Sequence, residues 1–519
     1  MKIPIIAVIV LLIVVLGYAF IGRPMLKDKQ RISTSDSVAH SDTVRIAGDP
    51  YLGYFFMNSD LMKKTGPQAG INVAWTDDKG AYKERLKKFA RGEYDAIVIP
   101  AATYIQHGAN TKPKYPGVIV ASISESRGAD AMLVFPDKIP ADSSVNVLND
   151  ASLKFSYTGD SPSSFLIDAT IVDFDLDELK TGNAWRNELA SSEEVYALAK
   201  KASKDRTIGD VFVMWEPEVS KAKDKLGMVQ VWGSDSFAGY IVDVFVFHLD
   251  FLDKKPEVVQ KFFTTYFRVL DMYASNLDLM LKDMSTFSGI NRASVDNVRK
   301  NIDWYDGREN CRDQFGISLS IGASANDGIM SSIIRCSDIL TRVGRLDPSK
   351  LIDPYIIVNS SVLETLVESG GIAFGAANAN TSVDFPSLTD VEWDALKVVG
   401  VMRIDPITFK AGSYYLNDEG KEVADQVADM LTTNYPNYRI LVKGHTGNGD
   451  LEANTKLSQD RAEVVIARLV AVYDVDGDRL RARGMADTEP PKPKPGESMR
   501  ALKFRKPRVE FVLLEGPGI

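Results

Sequence analysis

Asp160-Ser161-Pro162-Ser163-Ser164 reads as the start of a helix, with Ser161 or Asp160 as N-cap and Pro162 in the first turn. Free backbone N–H groups there, together with the serine hydroxyls, can hold an anion, which makes Ser161, Ser163 and Ser164 candidate ligand contacts. Plain capping without a ligand is the alternative. Tyr51, Tyr54 and Phe55 follow the first apolar strand, and Trp215 precedes Glu216, so these positions can give an organic ligand flat walls and one charge; packing in a core is the alternative. Arg127, next to Gly128, can pair with an anionic ligand or with Glu125. Near the C-terminus Arg461 offers a planar guanidinium suited to a carboxylate.

Other patterns carry no site. Asp474-Val475-Asp476-Gly477-Asp478 lacks the glycine and the final glutamate of a calcium loop, and no phosphate loop or dinucleotide fingerprint occurs. His40, His107, His248 and His445 lie far from one another and from the two cysteines in sequence, so no metal is expected. The proline-rich run at 490–495 reads as a stiff surface loop.

The elements that must position the candidates alternate. Strands at 44–47, 71–75 and 96–99, with Tyr82, Leu86 and Phe89 at i, i+4 and i+7 between the last two, predict β-α-β-α-β and a parallel sheet. Further strands at 131–135, 154–157, 211–214 and 229–232 predict a second α/β lobe, and the run 241–247 can return the chain to the first. A stretch at 371–399, rich in Gly, Ala, Asn and Ser over its first half, reads as a linker. Beyond it, helical stripes at Val423, Val427 and Leu431 and at Ala462, Val465 and Leu469 alternate with strands around Ile440 and 508–514.

Phe409, Gly444-His445-Thr446, the segment 454–462, Arg479-Leu480, Gly484 and Arg508-Val509-Glu510-Phe511 together resemble an OmpA-like peptidoglycan-binding domain. The resemblance implies an α/β sandwich over residues 400–515 that clamps diaminopimelate of the wall stem peptide between a helix arginine and an aspartate. Arg461 takes the arginine position. Gly447 stands where the aspartate is expected, so Asp450 or Asn448 is the substitute, Asp450 by preference, with Asn454 and Arg508 completing the peptidoglycan contacts.

Residues 44–370 resemble a two-lobed periplasmic binding protein (type 2) of the nitrate, sulfonate, taurine and thiamine-precursor kind, through Gly48-Asp49-Pro50-Tyr51, Tyr94-Asp95-Ala96, Gly159-Asp160-Ser161 and Trp215-Glu216-Pro217. The resemblance implies lobes joined by crossing strands near 122–128 and 239–242 that close on a small anionic or heterocyclic solute. Its ligand set is Asp49, Tyr51, Tyr54, Arg127, Ser161, Ser163, Ser164, Trp215 and Glu216. The histidine and cysteine cluster of related synthases is absent, so neither catalysis nor a cofactor is expected.

Residues 3–22 carry no charge over a length that spans about 30 Å as a helix, enough for a bilayer. Residues 1–26 are therefore expected to be an uncleaved transmembrane anchor and 27–43 a stalk; a cleavable signal peptide, whose apolar region is usually about 7 to 15 residues, is the alternative. Arg23, Lys27, Lys29 and Arg31 follow the segment, which by the positive-inside rule favours a cytoplasmic body. The wall-binding resemblance outweighs that and puts the soluble domains in the periplasm, anchored in a bacterial inner membrane, with a transporter permease as a further partner. A net charge of −9 leaves no basic field for nucleic acid. Cys311 and Cys336 are expected to form one disulfide in an exported chain, with two buried thiols as the alternative.

Overall fold

The computed structural model describes residues 42–319, 325–372, 385–410, 412–493 and 496–515. The anchor expected at 3–22, nearly all of the stalk and the middle of the linker lie outside them. Among the described residues no helix is long and apolar enough to cross a membrane.

The first lobe opens with β1 (Asp42–Gly48), β2 (Ile71–Asp77), β3 (Ala96–Pro100) and β4 (Gly117–Ser126). The chain then crosses to the second lobe for β5 (Asp130–Val134), β6 (Phe155–Thr158), β7 (Arg186–Leu189), β8 (Val211–Trp215) and β9 (Val229–Gly233). It returns in β10 (Val242–His248) and β11 (Ile302–Trp304). The first sheet runs β11-β4-β10-β3-β1-β2, with β1 parallel to β2 and β3 and with β10 antiparallel to β3 and β4. The second runs β7-β6-β8-β5-β9. The lobes thus share two chain crossings, 127–129 and 234–241, where the resemblance implied 122–128 and 239–242; residues 122–126 belong instead to β4 of the first lobe.

Both strand and helix patterns follow from which faces are covered. Every residue of β3 and β4 is buried, as in a sheet packed on both sides. In β5 and β8 the faces divide: Ala131, Leu133, Phe212 and Met214 pack toward helix Ser192–Ala202, while Met132, Val134, Val211 and Val213 join the main core. Gly128 makes the first crossing possible at φ +115°, a conformation closed to residues with a Cβ. Ser234 ties the two crossings together, its Oγ accepting from the N–H of Gly128 at 2.8 Å and of Asp130 at 3.1 Å.

The C-terminal unit has a four-stranded sheet formed by β12 (Lys397–Met402), β13 (Arg439–His445), β14 (Leu480–Gly484) and β15 (Arg508–Glu515), in the order β12-β15-β13-β14. Ile440, Val442, Phe511 and Leu513 face the helices Asp418–Asp429 and Leu451–Tyr473; Leu441, Val512 and Leu514 face Trp393 and Leu396. The last part of the expected linker is therefore folded. Helix Asp390–Asp394 and β12 belong to this unit because β12 pairs along β15 and Trp393 covers the outer face of the sheet. Gly444 and Gly484 are paired in register, and a Cβ on either would lie 2.0 Å from Ser458 O or 2.5 Å from Thr455 O. Helix Leu451–Tyr473, which carries Arg461, sits directly on that glycine pair.

The expected disulfide is absent. Cys311 and Cys336 are free, buried thiols, packed in the apolar core that joins the helices around 310 and 336. Burial pushes both thiols up to about 12, the behaviour of small core side chains.

Candidate functional site

A cleft of about 280 Å³ lies where the lobes meet, lined by Asp49, Tyr51, Tyr54, Tyr82, Asp130, Trp215, Asp243, Pro100, Pro162 and Ile241. The walls come from strand ends and the turns after them: Asp49 and Tyr51 follow β1, Pro100 ends β3, Trp215 ends β8, and Asp130 and Asp243 lie at the crossings. This is the place where loops at the ends of parallel strands converge.

Asp49 accepts from Arg85 at 3.0 Å and from the Tyr51 N–H at 3.2 Å. Arg85 is fully buried and spent, also bonding Asp78 at 2.6 Å and Val98 O, with Tyr82 beneath it at 4.8 Å. The Tyr54 hydroxyl donates to Asp243, whose other oxygen accepts from Ser124 at 3.3 Å. Burial raises Asp243 well above the usual carboxylate range, opposed by the Tyr54 bond and reinforced by Asp49 and Asp130. Asp130 accepts from Ser126 at 2.7 Å through Oδ2, while its Oδ1 has no partner. Burial, with the Glu216 and Asp49 charges adding to it, brings Asp130 up to about 7 against the Ser126 bond. The Tyr51 hydroxyl is buried without a partner as well, and its ring meets Tyr54 edge-on at 5.5 Å.

Of the residues predicted from sequence, the cleft brings together Asp49, Tyr51, Tyr54 and Trp215. The others do not line it. Arg127 pairs with Glu125 at 3.2 Å, so its charge is answered inside the protein. Glu216 is held by Ser220 N–H at 3.0 Å, Ser220 Oγ at 2.8 Å and Asn301, as a carboxylate serving the start of helix Glu218–Leu226. Ser161 Oγ donates to Thr158 O at 2.6 Å, and Ser164 Oγ bonds the Ser161 backbone at 3.0 and 2.8 Å. Ser163 is fully buried with an unpartnered hydroxyl, yet only its neighbour Pro162 lines the cleft. An anion at this helix start would also meet Asp160, which is already paired with Lys83 across the lobes. The lining holds three carboxyl groups and no lysine or arginine, the same sign as the anionic solute that is one of the two classes expected from sequence.

Sequence reasoning missed Tyr82, Asp130 and Asp243. The last two had a readable signal: each is a lone carboxylate at the start of an otherwise apolar strand, where burying a charge is costly without a purpose.

In the C-terminal unit Arg461 is half-buried, lies over Phe409 at 4.8 Å and donates to Ser413 O at 3.2 Å through both Nε and Nη2. Asp450 caps helix Leu451–Tyr473 by accepting from Ala453 N–H at 2.9 Å, and Asn454 reaches back to Gly447 O at 3.0 Å. Eleven residues of helix put Asp450 about 16 Å along the axis from Arg461, so the two are not an ion pair. Arg508 bonds Glu510 at 2.7 Å. Burial raises Glu510, but His445 and Arg508 outweigh it and hold the carboxyl at about 2. Among the described residues His445, Glu489 and Glu510 are close enough to share an ion, but Lys443 and Arg508 already neutralise both carboxylates.

Residues 408–502 match the OmpA family. Over 116 residues the chain is 34% identical to outer membrane protein Omp38 of Acinetobacter baumannii, a match covering 22% of this chain and 32% of that protein. The chain thus spans about a third of the length of this curated relative. Among solved structures, a putative periplasmic sulfonate-binding protein from Methylobacillus flagellatus KT aligns at 15% identity and TM-score 0.48, over 66% of this chain and 99% of that one. The alkanesulfonate-binding protein of Xanthomonas axonopodis pv. citri, bound to MOPS, aligns at 12% identity and TM-score 0.47, over 62% and 99%. The chain joins a two-lobed α/β unit to a C-terminal unit whose residues 408–502 match the OmpA family.

Proposed function

We propose that this chain, an OmpA domain carried on a two-lobed binding-protein-like unit, is a peptidoglycan-associated receptor for a small solute. The observation that carries it is the lobe-junction cleft, whose walls hold two buried polar atoms without partners, Asp130 Oδ1 and the Tyr51 hydroxyl. Buried polar atoms are normally satisfied, and a bound molecule would satisfy these. In this reading the OmpA domain holds the wall stem peptide with Arg461 as the carboxylate contact. Residues 3–22 anchor the chain in the inner membrane, the folded units stand in the periplasm, and the receptor serves an ABC-type uptake system through a permease.

Native mass spectrometry of the full-length protein as purified tests the receptor: a co-purified small molecule supports it. For the wall domain, Arg461→Ala should lose sedimentation with purified sacculi; retention equal to wild type would sink the diaminopimelate contact. For topology, a C-terminal alkaline phosphatase fusion should be active, and an inactive fusion would put the folded units on the other side of the membrane.

A second reading has its own support. Arg335 pairs with Asp173 and Arg345 with Asp168, so the segment 328–345 straps the second lobe, and Lys83–Asp160 bridges the cleft mouth. A permanently closed pair of lobes would act as a spacer or docking module in an envelope complex. Hydrogen exchange at 127–129 and 234–241 that stays slow and unchanged across solutes would favour it.

A further inference from the structure

The cleft's charge and its unmet hydrogen bonds define a ligand class more closely than the fold does, and this rests on the receptor reading above. We propose that the lobe-junction cleft takes a small organic cation with N–H donors, an amine, amidine or guanidine on a flat apolar body.

The first support is charge. Asp49, Asp130 and Asp243 all line the cleft, and the nearest buried cation, Arg85, is divided between Asp49 and Asp78. An anionic ligand would enter beside Asp130 with no lysine or arginine in the lining to pair it. The second support is the pattern of unmet bonds. Asp49 has Arg85, and Asp243 has Tyr54 and Ser124, but Asp130 Oδ1 has no donor although the residue is only 2% exposed. A carboxylate oxygen of this kind asks for an N–H, and a charged one forms the stronger bond. The Tyr51 hydroxyl beside it can accept or donate to the same ligand. The third support is the walls. The rings of Tyr51, Tyr54 and Trp215 line the cleft, and aromatic rings attract a cation and exclude water around it. The elevated value of Asp130 fits a group waiting for a positive partner.

The cleft is narrow, so the probes are limited to one ring with a polar head. Benzamidine, benzamide and benzenesulfonate are of similar shape and differ in charge at the head, so they are the probes. Titrated calorimetrically into the full-length protein at pH 8, benzamidine should bind at least about tenfold tighter than benzamide, the value of one charge-assisted hydrogen bond. Asp130→Asn should bring the two to parity. Tyr51→Phe, which keeps the ring and its packing, should weaken benzamidine several-fold without lowering the melting temperature, so the proposal stays testable even if Asp130→Asn folds poorly. Benzenesulfonate binding best, or benzamide binding as well as benzamidine, would overturn the cationic class and leave the receptor intact. No binding of any probe, with no solute co-purified, would overturn both.

Discussion

Asp130 ties stability to function at a single carboxyl. Its ordinary value is 3.8 and the folded value is about 7, raised first by burial. The unfolded chain therefore loses this proton near pH 4, while the folded protein keeps it until pH 7. From about pH 4 upward the native state carries a growing cost that levels off above 7. Asp130→Asn should thus raise the melting temperature at pH 8, on the order of 2 kcal/mol in stability, and the gain should vanish at pH 4. A thermal melt at the two pH values checks it. Glu510 runs the other way: its carboxyl is held at about 2 against an ordinary 4.5, so its contribution is full above pH 4.5 and lost as pH falls through 2. The cysteines give a further outcome at this scale. Both are buried with values near 12, so a thiol reagent at neutral pH should label neither until denaturant is added. Fast labelling of the native protein, or a mobility shift on reduction, would contradict the buried free thiols.

On the proposed wall binding, the loop and helix from Thr446 to Tyr473 decide how well the C-terminal unit can bind. Asp450 cannot stand in for the missing acid, because its carboxylate is committed to the first turn of the helix. Gly447, by contrast, has space. A Cβ there meets only Pro507 Cγ at 3.9 Å, and the position needs no left-handed backbone. Gly447→Asp should fold like wild type and increase the fraction bound to sacculi several-fold, measured by sedimentation with diaminopimelate-containing wall. Binding that does not change would mean that Arg461, held to Ser413 O, is not available to complete the clamp. Gly444 is the counterexample in the same unit. Any side chain there would press on the Ser458 carbonyl, and Gly444→Ala should cost several kcal/mol by forcing the helix off the sheet.

At the scale of the whole molecule, the two units are not independent beads. The Asn434 side chain donates to Ala238 O at 2.8 Å, and Ala238 N–H returns a bond to Asn434 O at 2.7 Å, on the second lobe crossing. Asp173 gathers Tyr435 of the C-terminal unit, Tyr240 of the crossing at 2.6 Å and Arg335 of the strap. Ser144 Oγ donates to Val399 O at 3.0 Å, and Asn146 accepts from Val401 N–H at 3.2 Å, so β12 is also tied to the second lobe. The C-terminal unit therefore rides on the second lobe and its crossing. Tyr435→Phe removes one partner of a buried carboxylate and should cost roughly 1 to 3 kcal/mol. Hydrogen exchange should then quicken at Ala238, Asn434 and Tyr435 together while the first lobe stays protected.

Much of this was legible in the chain itself. Periodicity placed β1, β3, β5, β8 and β10, the helix with Tyr82, Leu86 and Phe89, and the stripes of the C-terminal helices, because each alternation reports a face that must be buried. It also brought four cleft residues, Asp49, Tyr51, Tyr54 and Trp215, into view through turns that follow strands. The edge strand β7, half-exposed and carrying Arg186 and Glu188, has no apolar signal to find. What only the tertiary structure decided is how charges are shared. Arg127, Glu216 and Ser161 are open candidates in a sequence, where only the Glu125 alternative for Arg127 is visible; the fold pairs them with Glu125, Ser220 and Thr158. The same packing leaves Asp130 Oδ1 and the Tyr51 hydroxyl without partners. A sequence names donors and acceptors, whereas which of them remain unmatched depends on contacts between residues over 100 positions apart, such as Ser126 with Ser234.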